Sequence, residues 1–204
     1  FHTGRLGARA VVLVRCGIGK VSAARCTQVL IDRFAPAAVI NTGIAGGLGA
    51  GLAVGDIVVA DGLVQHDFDA APIGFVRGCL CMGDPGAPTV FTPDEPLSAL
   101  LARTAGDAAG AQRVHRGLIA TGDRFISGAA AKAALRRAFP SAMAAEMEGG
   151  AVAQAASTSG VPFAVVRAIS DLADGTAAAS FEQFEQHAAD ISAAAVLQAL
   201  ALLD

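Results

Sequence analysis

The stretch AAEMEGGAVAQAA, Ala144–Ala156, holds the reading of the fold. A short apolar run ends on Glu146-Met147-Glu148, and an alanine-rich, helix-forming run begins at once. Two carboxylates stand at a strand-to-helix junction in a chain that is otherwise poor in charge. Acids there offset the positive end of a helix macrodipole. They also stand where ligands bind in open α/β sheets, beyond the carboxyl ends of the strands.

Outward from this junction the same alternation recurs. Downstream, PFAVVRAIS (Pro162–Ser170) is a continuous apolar strand. SFEQ (Ser180–Gln183) has the form of a capping box opening a helix, with Phe181, Phe184, Ala188, Ile191 and Ala195 on one face. Upstream lie a helix in AAAKAALRRAF and a strand in VHRGLIATG. TPDE (Thr92–Glu95) predicts a helix start with Thr92 as cap, and the helix runs to about Ala109. Residues 68–91 are rich in Gly and Pro and read as a loop. GDIVVADGLVQHD, AAVINT and AVVLVRC are further strands. KVSAARCTQVLIDRF is an amphipathic helix with Val21, Ala24, Val29, Leu30 and Phe34 at helical spacing. Near-continuous apolar strands between helices predict an α/β fold of three layers, a central mixed, mostly parallel sheet flanked by helices. Neither an internal repeat nor a linker is visible, so residues 1–204 are read as one domain.

Composition narrows the function. The chain is 53% hydrophobic and 16% charged, with no Trp or Tyr, which predicts an oligomer that hides apolar surface. A formal charge of −3 offers no basic footprint for nucleic acid, and the short, broken apolar runs offer no bilayer span. Cys16 and Cys26 lie in apolar segments; Cys79 and Cys81 have the wrong spacing for a C-x-x-C pair. Reduced thiols in the cytoplasm are the expectation, with no metal and no signal peptide. HDFD (His66–Asp69) reads as a solvated or interfacial loop rather than a ligand set.

Two glycine-rich turns could approach a ligand. RCGIGKVSA has Gly17-x-Gly19, but Ser22 replaces the third glycine of a dinucleotide fingerprint and Lys20 lacks the Walker spacing. NTGIAGGLGAGLAVGD packs five glycines between Gly43 and Gly51, directly after a strand, as a cradle for an oxygen-rich or planar ligand would.

The ordered blocks CGIGKV, NTGIAGGL, VGDIVV, HDFD, TGDRFISG, EMEGGAVAQ, VPFAVVRAISDLAD and SFEQF carry a resemblance that extends over essentially the whole chain. It resembles the bacterial 5′-methylthioadenosine/S-adenosylhomocysteine nucleosidases of the nucleoside phosphorylase superfamily. The resemblance implies hydrolysis of the N-ribosidic bond of those two nucleosides, with release of adenine, in methionine salvage. It implies no cofactor, water as the nucleophile, and a cytoplasmic homodimer. By the same resemblance Asp171 is the acid that protonates purine N7, with Ser170 beside it. Glu148 binds the ribose hydroxyls and Met147 lines the sugar. Arg167 holds the water near the sugar. Phe125 stacks on the base, the Ile126 backbone bonds to it, and Phe181 covers the 5′ substituent. Ile44, Ala45 and Gly46 lie in the glycine block, and Ile44 stands where many nucleosidases have Ser, which leaves the 5′ group open. Glu146 is read as a structural acid of the same turn. The family begins with a strand and an acidic turn whose Glu activates water. The chain starts at Phe1, so that residue and strand are expected upstream of it. Loss of such a base costs about 10²–10⁴ in rate.

Relatives that use phosphate place an Arg before the glycine block to hold the dianion. Here that position is Asn41, which favours hydrolysis. Two alternatives stay open. One is a futalosine or aminofutalosine hydrolase, and the other a catalytically impaired purine-nucleoside binding protein.

Overall fold

The computed structural model describes residues 1–80, 83–175 and 177–203. Cys81 of the cysteine pair lies outside the described residues. A hairpin of β1 (His2–Leu6) and β2 (Arg9–Leu13) comes first, turned at Gly7 with φ 61°. It forms a ribbon of its own, so the apolar run at Ala10–Cys16 contributes to no larger sheet, contrary to expectation. Its partner HTGRL has no apolar alternation, which hid β1 in the sequence.

Helix α1 (Lys20–Phe34) follows, then β3 (Val39–Gly47), β4 (Ile57–Gln65), the two-residue β5 (Val90–Phe91) and α2 (Glu95–Ala109). Next come β6 (Val114–Thr121), α3 (Ala129–Ala138), β7 (Ala142–Glu146), α4 (Gly149–Thr158), β8 (Phe163–Asp171) and α5 (Ala177–Leu202). The six-stranded sheet has the order β5-β4-β6-β7-β3-β8, and β8 also pairs with β4, so five strands close on themselves. The long ladders β3–β8 and β4–β6, and the shorter β6–β7, are parallel. The ladders β3–β7, β4–β5 and β4–β8 are short and antiparallel.

The layers follow from the pleat. Along β8, Ala164, Val166 and Ala168 face a cluster with Leu97 and Leu101 of α2 and Ala188 and Ala195 of α5. The alternate residues Val165 and Ile169 face Ala151, Val152 and Ala156 of α4 and Ala23 of α1. With helices on both faces every residue of β8 is buried, which is why its sequence is apolar without alternation.

Four local expectations are corrected. The cap of α2 is Asp94, whose side chain accepts the Leu97 N–H at 2.9 Å; Thr92 lies outside the helix. Ser180 sits inside α5, which begins at Ala177, because the alanines before it are good helix formers and prolong the helix upstream. Val21 is 79% exposed and Phe34 also faces outward, whereas the fully covered face of α1 carries Ala23 and Thr27. Strand β3 also runs on through Gly43, Gly46 and Gly47, so the glycine block is largely extended backbone rather than a turn.

Candidate active site

At the β7–α4 junction the two acids have separate duties. Glu146 is buried and accepts the N–H groups of Gly149 at 2.7 Å and Glu148 at 3.0 Å, which satisfies the open end of α4. Thr121 Oγ1 donates to the same carboxylate and accepts the Gly150 N–H at 2.6 Å. These contacts need a helix pressed on the sheet. A Cβ on Gly149 would stand 2.9 Å from Leu63 Cδ2, and one on Gly150 would stand 2.9 Å from Thr121 Cβ.

Arg167, 1% exposed, completes this cluster. Its Nε and Nη2 donate to Glu146 Oε2 at 3.2 and 2.5 Å, and Nη2 also reaches Asn41 Oδ1 at 2.5 Å. Nη1 donates to the Val166 carbonyl at 3.3 Å, and its second N–H has no acceptor among the described residues. Gly43 lies beneath the guanidinium, where a Cβ would be 3.2 Å from Nη1. Burial pushes the Glu146 carboxyl up, but the Arg167 cation and the hydrogen bonds outweigh it and hold the group below its ordinary value.

Glu148 is half-buried and has only a distant share of that cation, its Oε2 lying 3.9 Å from Arg167 Nη2. Its Oε1 accepts the Gly19 N–H at 2.9 Å. Burial, then repulsion from Glu146, raise its carboxyl pKa against the opposing effects of Gly19 and Arg167. Two carboxylates thus share one buried cation unequally, Glu146 in direct contact and Glu148 at a distance.

Asp171 ends β8 and is 1% exposed. Ser170 Oγ donates to its Oδ2 at 2.9 Å, and the Ala173 N–H donates to Oδ1 at 2.8 Å. Burial outweighs both bonds and raises its pKa, the direction a general acid requires. Gly46 joins Asp171 to the acid cluster. It pairs with Asp171 on one side and with Ala145 on the other, so those two backbones stand two strand spacings apart, about 10 Å. A Cβ on Gly46 would lie 3.0 Å from Asp171 Oδ1. Lys132 Nζ ties the two strand ends together through the carbonyls of Gly47 at 2.8 Å and Leu172 at 2.6 Å.

The other expected residues distribute as follows. Phe125 is 45% exposed and meets Phe181 edge-to-face, with ring centroids 5.8 Å apart. Ile126 is buried in a third apolar cluster, and Met147 is half-buried. Ala45 is buried toward α1 and α4, while Ile44 packs on the opposite side with residues of α2 and α5. HDFD is not a solvated loop: His66 is 2% exposed and Asp67 forms an ion pair with Lys20 at 2.6 Å. Lys20, Asp67, Thr121, Asp123 and Lys132 carry contacts here that sequence reasoning passed over. The one signal was a shared spacing, since Asp67 and Asp123 each follow a strand end by two residues. Among the described residues no group of three or more His, Cys, Asp or Glu is placed to hold a metal ion, and no helix is long and apolar enough to cross a membrane.

Strands that close on themselves between two helical layers, with a protonatable acid and an acid–arginine cluster at adjoining strand ends, describe a class that comparison identifies. A family described as the phosphorylase superfamily matches residues 1–201, and the chain belongs to it. Within that superfamily it belongs to the 5′-methylthioadenosine/S-adenosylhomocysteine nucleosidases. The nucleosidase of Actinobacillus succinogenes is 45% identical over 201 residues, covering 98% of this chain and 85% of its own. The crystal structure of the Neisseria meningitidis nucleosidase in complex with methylthio-immucillin-A is 41% identical with a TM-score of 0.91, over 98% of this chain and 85% of that one. The native structure of futalosine hydrolase of Helicobacter pylori is more distant at 33% identity, with a TM-score of 0.89 over 100% of this chain and 84% of that one.

Proposed function

We propose that this protein hydrolyses the N-ribosidic bond of 5′-methylthioadenosine and S-adenosylhomocysteine, releasing adenine in methionine salvage. The carrying observation is the pairing at Gly46, which sets a buried acid of raised pKa across two strand spacings from an acid–arginine cluster. That span suits one nucleoside. Asp171 gives its proton to N7 as the C1′–N9 electron pair moves onto the purine. Glu148 Oε2 accepts the ribose hydroxyls and stabilises the positive charge growing at C1′. Water adds its oxygen to C1′, and the proton it loses returns through solvent to the Asp171 carboxylate. The Arg167 guanidinium holds that water in this reading, while Glu146 keeps the guanidinium in place. Phe125 offers an open ring face to the base, with Phe181 supporting its edge and covering the 5′ group. Met147 lines the sugar, the Ile126 backbone bonds the base, and Ser170 orients the acid.

The reading includes a homodimer, since Leu13, Ile18 and Val21 are 69%, 76% and 79% exposed along one stretch of chain. It places the enzyme in the cytoplasm, where the unpaired thiols of Cys16, Cys26 and Cys79 suit a reducing environment. Futalosine hydrolysis is kept as a second reading because of the Helicobacter pylori relative. The test is to incubate the protein with methylthioadenosine, adenosylhomocysteine and aminofutalosine side by side and to follow adenine. Release from the first two supports the proposal, and preference for aminofutalosine supports the second reading. Binding without release marks an impaired nucleoside-binding protein; neither binding nor release refutes all three.

A further inference from the structure

Helix α1 has no side-chain cap of its own, and Gly19 at its start has φ 91°. Its first N–H groups are met from elsewhere in the chain. Gly19 N–H goes to Glu148 Oε1 at 2.9 Å, and Lys20 N–H goes to Asp123 Oδ1 at 2.7 Å. A third carboxylate closes the ring: Asp67 accepts Lys20 Nζ at 2.6 Å on one oxygen and the Asp123 N–H at 2.8 Å on the other. These bonds tie the Gly17–Lys20 turn to segments 47, 103 and 129 residues away. Burial pushes the Asp67 carboxyl up, but Lys20, the Asp123 N–H and His66 together hold it below its ordinary value.

Close approach is built into the backbone. A Cβ on Gly19 would lie 2.9 Å from Asp123 Oδ1, and one on Gly122 would lie 2.5 Å from His66 Nε2 and 3.0 Å from Asp67 Cγ. Both side chains of the Lys20–Asp67 pair are partly exposed, 19% and 27%, so the pair adds little to global stability. What it sets is where the Gly19 N–H points, and that N–H holds one oxygen of Glu148.

We propose that Lys20, Asp67 and Asp123 are positioning residues, whose closed ring fixes the Gly17–Lys20 turn and thereby holds the Glu148 carboxylate in the orientation that grips the ribose. The proposal rests on the nucleosidase reading above and adds three residues to it. It predicts a split between ligands with and without a sugar. Adenine alone does not need Glu148; a nucleoside does.

The experiment uses the full chain with Lys20→Met, Asp67→Asn, the double variant and Lys20→Arg. It measures steady-state cleavage of methylthioadenosine, calorimetric affinity for that nucleoside and for adenine, and the melting temperature. Each single variant is expected to lose about 10²-fold in kcat/KM, the scale of a small misplacement at a reacting centre. Adenine affinity should stay within about threefold, and the double variant should be no worse than the poorer single, because both break one ring. Lys20→Arg, which keeps a charged donor, should recover most of the loss. Single variants that retain kcat/KM within about threefold of the unsubstituted chain overturn the proposal. So does an equal loss of adenine and nucleoside affinity, which marks a merely structural role. If the unsubstituted chain binds but does not turn over, the two affinities alone decide: a loss confined to the nucleoside supports the ring, and an equal or absent loss overturns it. If it binds no nucleoside at all, the nucleosidase reading fails, and the proposal with it.

Discussion

Replacement of Asp171 by Asn tests the chemistry most directly, because the two side chains have the same shape. The Asn carbonyl oxygen can accept the Ala173 N–H now received at 2.8 Å, and the Ser170 hydroxyl can rotate to accept from the new amide. The fold therefore survives, and on the proposed reading so does the hydrogen bond to the purine, while the transferable proton is lost. General acid catalysis contributes about 10²–10⁴, or about 2.7–5.4 kcal/mol of barrier at 1.36 kcal/mol per decade. kcat should fall by that factor, measured as adenine release at saturating methylthioadenosine, with calorimetric adenine affinity nearly unchanged. The stability of the same variant carries an independent sign. Burial raises the folded pKa of Asp171, so its contribution to stability is fully present below the ordinary value of 3.8 and is lost as pH rises through the folded value. The Asn variant should melt higher than the wild type near neutral pH, with the difference closing below pH 3.8. A variant that keeps more than about a tenth of wild-type kcat would refute the assignment of Asp171 as proton donor.

Glu146→Ala should destabilise the protein by about 3–5 kcal/mol, because it strands the buried Arg167 cation. Thermal melts should drop by roughly 2–4 °C per kcal/mol for a chain of this size. The folded pKa of Glu146 is depressed, so its stabilisation is present above the ordinary value of 4.5 and lost as pH falls through the lower folded value. Acid denaturation of the variant should accordingly lack that component, and an unchanged acid limb would contradict the ion-pair account. Phe125→Ala removes an exposed ring whose described ring contact is the edge of Phe181, so the melting temperature should barely move. Adenine affinity should fall by about 1–3 kcal/mol, the cost of a lost base stack; calorimetry showing no loss would place the base elsewhere.

How much of this was legible varies with the range of the interaction. The β7–α4 junction announced itself, since apolar runs, alanines and glycines dictate strand and helix through nearest neighbours alone. Most strand and helix ends among the main sheet and its helices fell within a residue or two for the same reason. Asp171 was visible as an acid closing an apolar strand, but its raised pKa needed the burial that β3 and its neighbours supply. The resemblance already set Glu148 on the ribose and Glu146 in a structural place, but the cause of that division was not readable, because it turns on which carboxylate the Arg167 guanidinium reaches, 21 residues along the chain from Glu146. The helix starts at Asp94 and Ala177 were missed because several nearby residues could begin each helix, and packing against the sheet chose among them.

By itself the amino-acid order determined the periodicities, and with them the alternation of elements, the doubly covered sheet and the family to which the chain belongs. The tertiary structure alone decided that the sheet would close through β4 and β8, that Gly46 would set Asp171 beside the acid cluster, and that Lys20 would reach Asp67. Hydrophobic pattern is a local property repeated along the chain, whereas a hydrogen bond across 47 or 129 residues exists only after the backbone has folded back to bring its two ends together.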